Sequence, residues 1–237
     1  MFYKLVRLVL RTLGQILFWP KLSGVRNIPD QGPAIMVGNH LGAGEVIILI
    51  GWLRRNVTFP AKRELFRTDT IPRWAFSLIM RGIRQVPIDR SGGDASADGL
   101  DSMHRVLADG ELVAIFPEGH RSPDGKLYKG RTGVARLALS CDAPIIPVGC
   151  FRTRFVRRWL PFPWLYRPEA RIGEPFHLPA ETKRAFLEAS SRDEAAQVLR
   201  QATDEVMRRV QEITGQEMVD SYSFDPRIAA KPASLVL

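Results

Sequence analysis

The chain has 237 residues, of which 45% are hydrophobic and 25% are charged, and a formal net charge of +9. These values are typical of a globular protein with one domain, or one domain plus short attachments, and they exclude a disordered, collagen-like or disulfide-rich chain. The two cysteines, Cys141 and Cys150, lie outside any CxxC or Cys/His cluster, so we expect a reduced, cytoplasmic protein without structural zinc.

The first 29 residues form a basic segment with large apolar side chains between the charges. It has no acid and five basic residues: Lys4, Arg7, Arg11, Lys21 and Arg26. The helical spacing of positions 4, 7 and 11 predicts an amphipathic helix that lies in a membrane interface. Charges interrupt the apolar runs too often for a spanning helix, and no signal-peptide cleavage site follows. A helix that packs on the protein's own core is the alternative.

Beyond residue 29, strand-like and helix-like runs alternate. The predicted strands are 33–38, 56–61, 84–88, 111–116 and 144–151, and the predicted helices are 43–54, 70–82, 94–109, 133–140 and one or two within 181–213. This order predicts a single layered α/β domain with a largely parallel or mixed central sheet flanked by helices. We therefore divide the chain into an anchoring segment (1–29), one domain (30–215) and a weakly patterned tail (216–237), expected to be partly disordered.

Residues 151–168 form a second acid-free basic segment, in which arginines are interspersed with aromatic residues. Three prolines exclude a continuous helix here: Pro161, Pro163 and Pro168. Arginine with aromatic side chains suits either single-stranded nucleic acid or a loop at the level of lipid headgroups. No nucleic-acid-binding motif accompanies the segment. Two such segments in one chain favour a membrane surface over nucleic acid.

The first candidate for chemistry, His40 and Glu45, follows the first predicted strand. A carboxylate that holds an imidazole ring orients it as a general base. Five positions along a regular helix are roughly 140° apart, so the two side chains meet only if His40 precedes the helix and Glu45 lies in its first turn. A helix from about residue 43 provides this arrangement. The same spacing recurs at His104 and Asp109, inside a predicted surface helix without expected function, so spacing alone is weak support.

The second candidate is Phe116-Pro-Glu-Gly-His-Arg-Ser122, which follows the predicted strand 111–116. Its proline and glycine predict a turn at the strand end, where open α/β sheets bind their ligands. Arg121 in this turn offers a planar fork to an anionic group. Further cations occur nearby in sequence: Arg90, Lys126, Lys129 and Arg131. In isolation, a surface ion pair of Glu118 and Arg121 is the simpler interpretation.

Together these residues resemble the glycerolipid acyltransferase family, and within it the bacterial 1-acylglycerol-3-phosphate (lysophosphatidate) acyltransferases. Four blocks match in the order of the family: Asn39-His40 through Glu45 (NHx4D), Gly82 to Arg90, Phe116 to Ser122 (FPEGTRS), and Pro144 to Val148. Ala61 to Leu65 also resembles the AKxEL stretch of the family. The resemblance covers roughly residues 20–180 and implies that residues 30–215 form an acyltransferase domain.

The resemblance also implies roles for single residues. His40 is expected to take the proton from the acceptor hydroxyl, Glu45 to orient His40, and Lys62 to stabilise the developing oxyanion. The substrate-binding positions that it implies are Arg90 and Arg121, which hold the phosphate of the acceptor, and Glu118 and Gly119, which shape the site. No covalent acyl-enzyme is expected, because no Ser–His or Cys–His nucleophile arrangement is visible.

Two positions depart from the pattern of the family. Glu45 stands where the family usually has Asp, and it is one methylene longer, so the backbone must lie slightly farther from His40. His120 stands where the family usually has Thr, and we do not expect it to be catalytic.

The resemblance implies an acyltransferase of phospholipid biosynthesis, which moves a fatty acyl group from a thioester donor to 1-acylglycerol-3-phosphate and gives phosphatidate. The expected partners are a membrane phospholipid surface, a lysophospholipid acceptor, and acyl-CoA or acyl carrier protein as co-substrate; no other cofactor, metal or nucleic acid is expected. The expected location is peripheral or monotopic, at the cytoplasmic face of the cell membrane. The alternatives are another lysolipid acceptor, or a non-enzymatic protein that binds membranes or nucleic acid.

Overall fold

The computed structural model describes residues 2–88, 94–153 and 167–223, with the backbone alone for 94–98. Three features predicted from the sequence lie outside this part of the chain. They are Arg90, most of the basic aromatic segment 151–168, and residues 224–237 of the predicted tail.

The described residues form seven α-helices and ten β-strands. The helices are α1 (Phe2–Phe18), α2 (Gly44–Trp52), α3 (Ile71–Gly82), α4 (Asp94–Ala108), α5 (Gly133–Cys141), α6 (Ala180–Glu188) and α7 (Arg192–Thr214). The strands are β1 (Lys21–Ser23), β2 (Ala34–Gly38), β3 (Val57–Thr58), β4 (Pro60–Lys62), β5 (Val86–Ile88), β6 (Leu112–Ile115), β7 (Leu127–Tyr128), β8 (Ile145–Phe151), β9 (Glu169–Ile172) and β10 (Met218–Val219). Every helix predicted beyond residue 29 is present, and each predicted end lies within two residues of the observed one. The region 181–213, predicted as one or two helices, consists of two, α6 and α7.

The ends of α7 show how local sequence sets a helix boundary. The Ser191 hydroxyl accepts a hydrogen bond from the backbone N–H of Glu194, and the Glu194 carboxylate accepts one from the backbone N–H of Ser190. This arrangement resembles a capping box, with the carboxylate bound to the N–H of the residue before the N-cap. At the other end, Gly215 takes a positive φ of 65°, which a residue without Cβ adopts at little cost. The helix therefore begins and ends where its sequence provides these caps.

Six strands form the main sheet, in the order β1-β9-β8-β2-β6-β3. All neighbours are parallel except β8 and β9, which are antiparallel. In the centre, Met36 of β2 lies opposite Ala114 of β6 on one side and Ile146 of β8 on the other. The largely parallel, mixed sheet predicted from the alternating elements is therefore present.

Strand β2 is buried on both faces, and this explains the layers. Ala34 and Met36 belong to the core shared with α1 and α2. Ile35 and Val37 belong to the core on the opposite face, with α4, α5 and α7. Because successive side chains of a strand point to opposite faces, a continuous apolar run requires helices on both sides.

The predicted strand 56–61 consists of two strands in different sheets. β3 pairs with β6 in the main sheet, whereas β4 pairs with β5 in a separate two-stranded parallel sheet. α3 is the helix that connects β4 to β5. Strands β1, β7, β9 and β10 were not predicted, because two to four residues are too short to show a period of two. β1 lies within the segment predicted as an anchor and forms an edge of the main sheet.

One side of α1 is bound to the rest of the protein. Tyr3 and Gly14 are buried, and the Gly14 Cα lies against the indole ring of Trp52 in α2. The Tyr3 hydroxyl accepts a 2.9 Å hydrogen bond from the backbone N–H of Val57. The Arg7 guanidinium donates to the backbone carbonyl oxygens of Arg54 and Arg55, in the turn that follows α2. Packing on the protein's own core, the alternative considered above, therefore occurs on this side.

The other side of α1 carries exposed apolar side chains. They are Phe2, Leu5, Leu8, Val9, Leu13, Ile16 and Leu17. Lys4 and Arg11 are also exposed, whereas Arg7 is engaged with the protein. No helix in the described part of the chain is long and apolar enough to cross a membrane.

The first part of the predicted tail is attached to the domain. β10 pairs in parallel with β7, and this brings residues 216–223 beside the loop that follows β6. Two exposed ion pairs join the segments, Lys126 to Glu217 and Lys129 to Asp220, both at 2.6 Å. We call residues 216–223 the C-terminal strap.

Candidate active site

The His40 ring and the Glu45 carboxylate are in direct contact. His40 Nδ1 lies 2.7 Å from Glu45 Oε1. His40 follows β2, and Glu45 lies in the first turn of α2, as their spacing required. An ionised carboxylate only accepts hydrogen bonds, so Nδ1 carries the proton and Nε2 keeps its lone pair. The arrangement is that of an oriented general base.

Glu45 is fully buried and is held by the loop that joins β2 to α2. Its carboxylate accepts hydrogen bonds from the backbone N–H groups of Leu41 and Gly42, both at 2.9 Å to Oε1. The longer side chain thus reaches His40 and also organises the turn between them. Glutamate in place of the usual aspartate is compatible with an oriented His40.

The turn after β6 supports His40 from the other side. The His40 ring stacks on Phe116, with ring centroids 4.5 Å apart and planes inclined by 8°. The backbone carbonyl oxygen of His40 accepts a 2.7 Å hydrogen bond from the N–H of Ser122. β2 and β6 are parallel neighbours, so the residues that follow them meet at one edge of the sheet.

Glu118 connects this turn to the backbone around it. It is fully buried, and its two oxygens accept hydrogen bonds from the backbone N–H groups of His40 (2.8 Å) and Tyr128 (3.0 Å). Burial raises the pKa of Glu118 to about 7. Its geometry is that of a positioning residue, and its predicted contact with substrate stays a prediction.

Asn39 fixes the end of β2 to its neighbour β8. Its side-chain amide donates to the carbonyl oxygen of Cys150 (3.0 Å), and its side-chain oxygen accepts from the N–H of Cys150 (2.7 Å). Asn39 is buried. Because both polar atoms are satisfied by backbone, the asparagine before the histidine acts on structure and sets the direction of the His40 backbone.

A cleft of about 680 Å³ opens beside His40. Its described lining includes the apolar residues Pro60, Ile88 and Phe116, and the polar residues His40, His120 and Arg131. The backbone N–H of Arg131 donates to the carbonyl oxygen of Pro117 at 2.8 Å. The His40 imidazole, two arginines (Arg131 and Arg136) and apolar walls therefore share one cleft. Within the described part of the chain, no three His, Cys, Asp or Glu residues are grouped so that they could hold a metal ion.

Comparison with known proteins bears directly on this arrangement. The family model described as Acyltransferase matches residues 20–151, which is more than half of the chain and contains the cleft residues from His40 to Arg131. The chain belongs to the acyltransferase family. The resemblance seen in the sequence motifs is thereby confirmed.

Individual relatives match at modest identity. A Mycobacterium tuberculosis protein described as uncharacterised is 35% identical over 153 residues, which cover 60% of this chain and 40% of that protein. The 1-acyl-sn-glycerol-3-phosphate acyltransferase of Pseudomonas aeruginosa is 28% identical over 179 residues, 74% of this chain and 66% of that enzyme. That of Borreliella burgdorferi is 29% identical over 132 residues, 56% of this chain and 51% of that enzyme. The chain thus spans less than two thirds of the length of these relatives.

The fold is similar to a solved acyltransferase structure. The 1-acyl-sn-glycerophosphate (LPA) acyltransferase of Thermotoga maritima matches with a TM-score of 0.59, and the match covers 89% of this chain and 79% of that chain. The two sequences are 20% identical, so the match concerns the fold alone. It confirms the predicted α/β class with a mixed central sheet flanked by helices.

Three cations were predicted as site residues from the family motifs: Arg121, Lys62 and Arg90. Arg121 is exposed and is not among the described lining residues. Lys62 is also exposed, and its Nζ lies 3.8 Å from Oε1 of Glu64. Lys62 belongs to β4 and pairs with Ile88 of β5, which lines the cleft. Arg90 lies outside the described residues. The roles of these three residues stay predictions.

Two steric features explain why residue 119 of the turn is a glycine. Its φ is +76°, in the region that favours glycine. A Cβ at this position would also lie 2.8 Å from Nε of Arg131, so a larger residue would displace the guanidinium from the cleft. Gly119 therefore leaves space for the Arg131 side chain, and its expected role in shaping the substrate site stays a prediction.

Neither a role for Arg131 nor the contacts of the C-terminal strap were predictable from the sequence. The Tyr222 ring lies under the Arg131 guanidinium, 5.5 Å from its centroid, and lines the cleft. The Ser223 hydroxyl donates to the carbonyl oxygen of Glu118 at 3.3 Å. His120, expected to be outside the chemistry, also lines the cleft. Sequence offered only a weak signal for Arg131, as one of several cations after the FPEGHRS turn.

Proposed function

We propose that the protein transfers a fatty acyl group from a thioester donor to the free hydroxyl of 1-acylglycerol-3-phosphate and releases phosphatidate. The observation that carries this proposal is the His40–Glu45 pair at 2.7 Å, beside a cleft that also holds a guanidinium group. Membership of the acyltransferase family and the relatives described as 1-acyl-sn-glycerol-3-phosphate acyltransferases support it.

In the proposed reaction, His40 Nε2 takes the proton of the acceptor hydroxyl as its oxygen attacks the thioester carbonyl carbon. Glu45 stabilises the imidazolium that forms and keeps its ring in place. The tetrahedral intermediate then expels the thiolate, the C–S bond breaks, and the thiolate takes the proton from His40. The products are the new ester and a free thiol, and His40 returns to its starting state.

Acceptor binding is proposed to depend on a group of arginines. Arg131 lies in the cleft with His40, where a guanidinium fork suits a phosphate monoester. Arg121 and Arg90 are the phosphate ligands that the sequence resemblance implied, and both are retained in the proposal. The donor is acyl-CoA or acyl carrier protein, since both present the same thioester to the base.

The test is transfer of a labelled acyl group from acyl-CoA to 1-acylglycerol-3-phosphate in mixed micelles. His40→Ala is expected to lower turnover by about 10³-fold or more, because the base and its proton transfer are lost. His104→Ala is the matched control. His104 also precedes an acid by five positions, but it lies exposed on α4. Equal activity of His40→Ala and wild type would refute the mechanism.

Acceptor identity is tested with the same assay. Arg131→Ala is expected to raise KM for the phosphate-bearing acceptor about tenfold, with a smaller change for a lysolipid acceptor without a phosphate monoester. Arg184→Ala, an exposed arginine on α6, is the matched control. Preference of the wild type for another lysolipid would retain the reaction class and replace the acceptor. No transfer from acyl-CoA or acyl carrier protein to any lysolipid would favour a non-enzymatic protein.

A further inference from the structure

Helix α3 carries a group of exposed apolar side chains that the active site does not use. They are Ile71, Trp74, Phe76, Leu78 and Ile79, and Ile71 is 83% exposed. Of the 17 exposed large apolar side chains in the described residues, twelve lie on α1 and α3. Apolar exposure of this kind, concentrated on two helices, marks an interaction surface.

Three of the exposed apolar side chains of α3 form a stripe along one side of the helix. Ile71, Trp74 and Leu78 are separated by three and four positions and therefore share a face. The opposite side attaches α3 to the domain through Ser77, whose hydroxyl donates to the carbonyl oxygen of Phe66, and through Met80. The stripe is thus free of the contacts that hold the helix in place.

α1 and α3 meet at one end. The Phe2 ring lies directly against Gly82, the last residue of α3, and leaves no room for a Cβ there. The exposed apolar residues of the two helices therefore extend from one point of contact. We call α1 and α3 together the two-helix surface.

The charges around α3 indicate the kind of partner. Residues 62–84 contain six basic and two acidic residues, and Arg67, Arg73 and Arg81 are exposed. Asp69 pairs with Arg67 and Arg73, which leaves a basic excess along the helix. Apolar side chains with a tryptophan among exposed arginines match an anionic lipid surface, in which the apolar groups insert and the cations remain at the headgroups.

The position of α3 connects this surface to the cleft. α3 joins β4 to β5, and Pro60 of β4 and Ile88 of β5 both line the cleft beside His40. A bilayer in contact with α3 would therefore be separated from the cleft lining only by the segments that connect α3 to β4 and β5. This offers a lipid acceptor a short path from the bilayer to the base.

We propose that α1 and α3 bind a bilayer that contains anionic phospholipids, and that α3 inserts Ile71, Trp74 and Leu78 at the boundary between headgroups and acyl chains. This binding does not depend on the reaction. The delivery of acceptor to the cleft does rest on the proposed function, so the two are tested separately.

Binding is measured by flotation of the full chain with vesicles of phosphatidylcholine, with and without phosphatidylglycerol. We expect binding to the anionic vesicles that weakens with salt. The double variant Ile71→Ser/Trp74→Ser is expected to bind about tenfold more weakly, because two apolar side chains no longer insert. Leu187→Ser, on α6, removes a side chain that is 69% exposed and lies outside the two-helix surface, and it should bind as the wild type does.

Three results would overturn the proposal. One is absence of wild-type binding to either vesicle. Another is equal binding of the double variant and the wild type, which would attribute membrane binding to α1 alone. The third is a wild-type dimer that the double variant converts to a monomer in sedimentation, which would make the surface an interface between copies. Thermal unfolding verifies that the variants are folded, as expected for exposed positions.

Acceptor delivery has its own readout. The double variant should keep wild-type turnover of a short-chain acceptor present as monomers and lose most turnover of an acceptor embedded in vesicles. Equal losses with both acceptors would refute delivery through α3. Absence of wild-type turnover with either acceptor would refute the proposed function and leave the result of the flotation experiment intact.

Discussion

Glu45 links the turn before α2 to the proposed base. Its carboxylate contacts His40 Nδ1 and two backbone N–H groups, and no water reaches it because it is fully buried. An acceptor-only group is required for all of these contacts. The side chain therefore determines both the loop conformation and the tautomer of the ring.

Glu45→Gln is expected to lower kcat by about 10²- to 10⁴-fold, since an amide does not stabilise the imidazolium and presents an N–H to existing donors. Glu45→Asp is expected to lose less activity, because the charge remains and only its reach decreases. The measurement is kcat with both variants and a saturating acceptor. A Glu45→Gln variant as active as Glu45→Asp would contradict the orienting role.

For single residues, the sequence predicts contacts between side chains that are close along the chain. His40 and Glu45 were predictable because a helix boundary falls between them. Arg131 was not assigned a role, since its position depends on the hydrogen bond to Pro117 and on the space left by Gly119. Tyr222 is brought to the cleft by the pairing of β10 with β7. Each of these strands has two residues, which is too short for a recognisable sequence pattern.

Among the elements, α1 depends on a few polar contacts that hold one side to the domain. The buried Tyr3 hydroxyl accepts from the Val57 N–H and lies 3.4 Å from the Val57 carbonyl oxygen, to which it donates. Arg7 adds hydrogen bonds to the turn that follows α2 and to Asn56. The apolar packing of α1 is therefore accompanied by specific hydrogen bonds, which a helix lying free on a bilayer would not need.

Tyr3→Phe is expected to reduce the free energy of unfolding by about 1 to 3 kcal/mol, because the buried N–H of Val57 loses its acceptor. Urea unfolding of the full chain measures this change. Tyr222→Phe, which removes a hydroxyl from a partly exposed tyrosine, serves as the comparison and should unfold as the wild type does. A Tyr3→Phe variant of unchanged stability would indicate that α1 is not docked through this contact.

The C-terminal strap is the element that orders Arg131. Tyr222→Ala is expected to raise KM for the phosphate-bearing acceptor about three- to tenfold with a smaller effect on kcat, because the guanidinium loses its aromatic support. Tyr222→Phe retains the ring and should restore KM. Steady-state kinetics with varied acceptor make the test. Equal effects of the two substitutions on KM would exclude support through the ring.

Helix ends were predictable to within two residues because caps, glycines and apolar spacing act locally. The short strands were not predictable, since their pairing depends on partners far along the chain. The split at Phe59 is one example: β3 stays in the main sheet, whereas β4 pairs with β5 after an intervening helix. The contact of Phe2 with Gly82, which leaves no room for a Cβ, likewise joins residues far apart in the chain and has no local signal.

For the whole molecule, the alternation of strands and helices was sufficient to predict a layered α/β fold. The order of the strands was not predictable, because β2 lies between β6 and β8, both distant in sequence. The antiparallel pairing of β8 with β9 also has no local signal. Stability of the assembled domain depends on groups such as Glu118, which joins loops from separate parts of the chain.

Glu118 is expected to make the unfolding free energy depend on pH. Its pKa is about 7 in the folded protein and about 4.5 when exposed, so between these values the folded state holds a proton that the unfolded state has lost. Stability from this group therefore falls as the pH rises through this range. From pH 5 to pH 8, the stability of the wild type relative to Glu118→Gln should decrease by about 2 to 3 kcal/mol. Urea unfolding at both values measures the difference, and an increase would contradict the assignment.

The C-terminal strap has a consequence for the order of events during translation. The contacts of α1 with Val57 and Asn56 require only the early part of the chain. Ser223, by contrast, is synthesised 105 residues after Glu118, whose carbonyl oxygen it contacts. The residues to which α1 makes these hydrogen bonds are therefore synthesised well before those that complete the cleft. A chain interrupted between these positions would contain α1 and its contacts but would lack Tyr222 of the cleft lining and Ser223, which contacts Glu118.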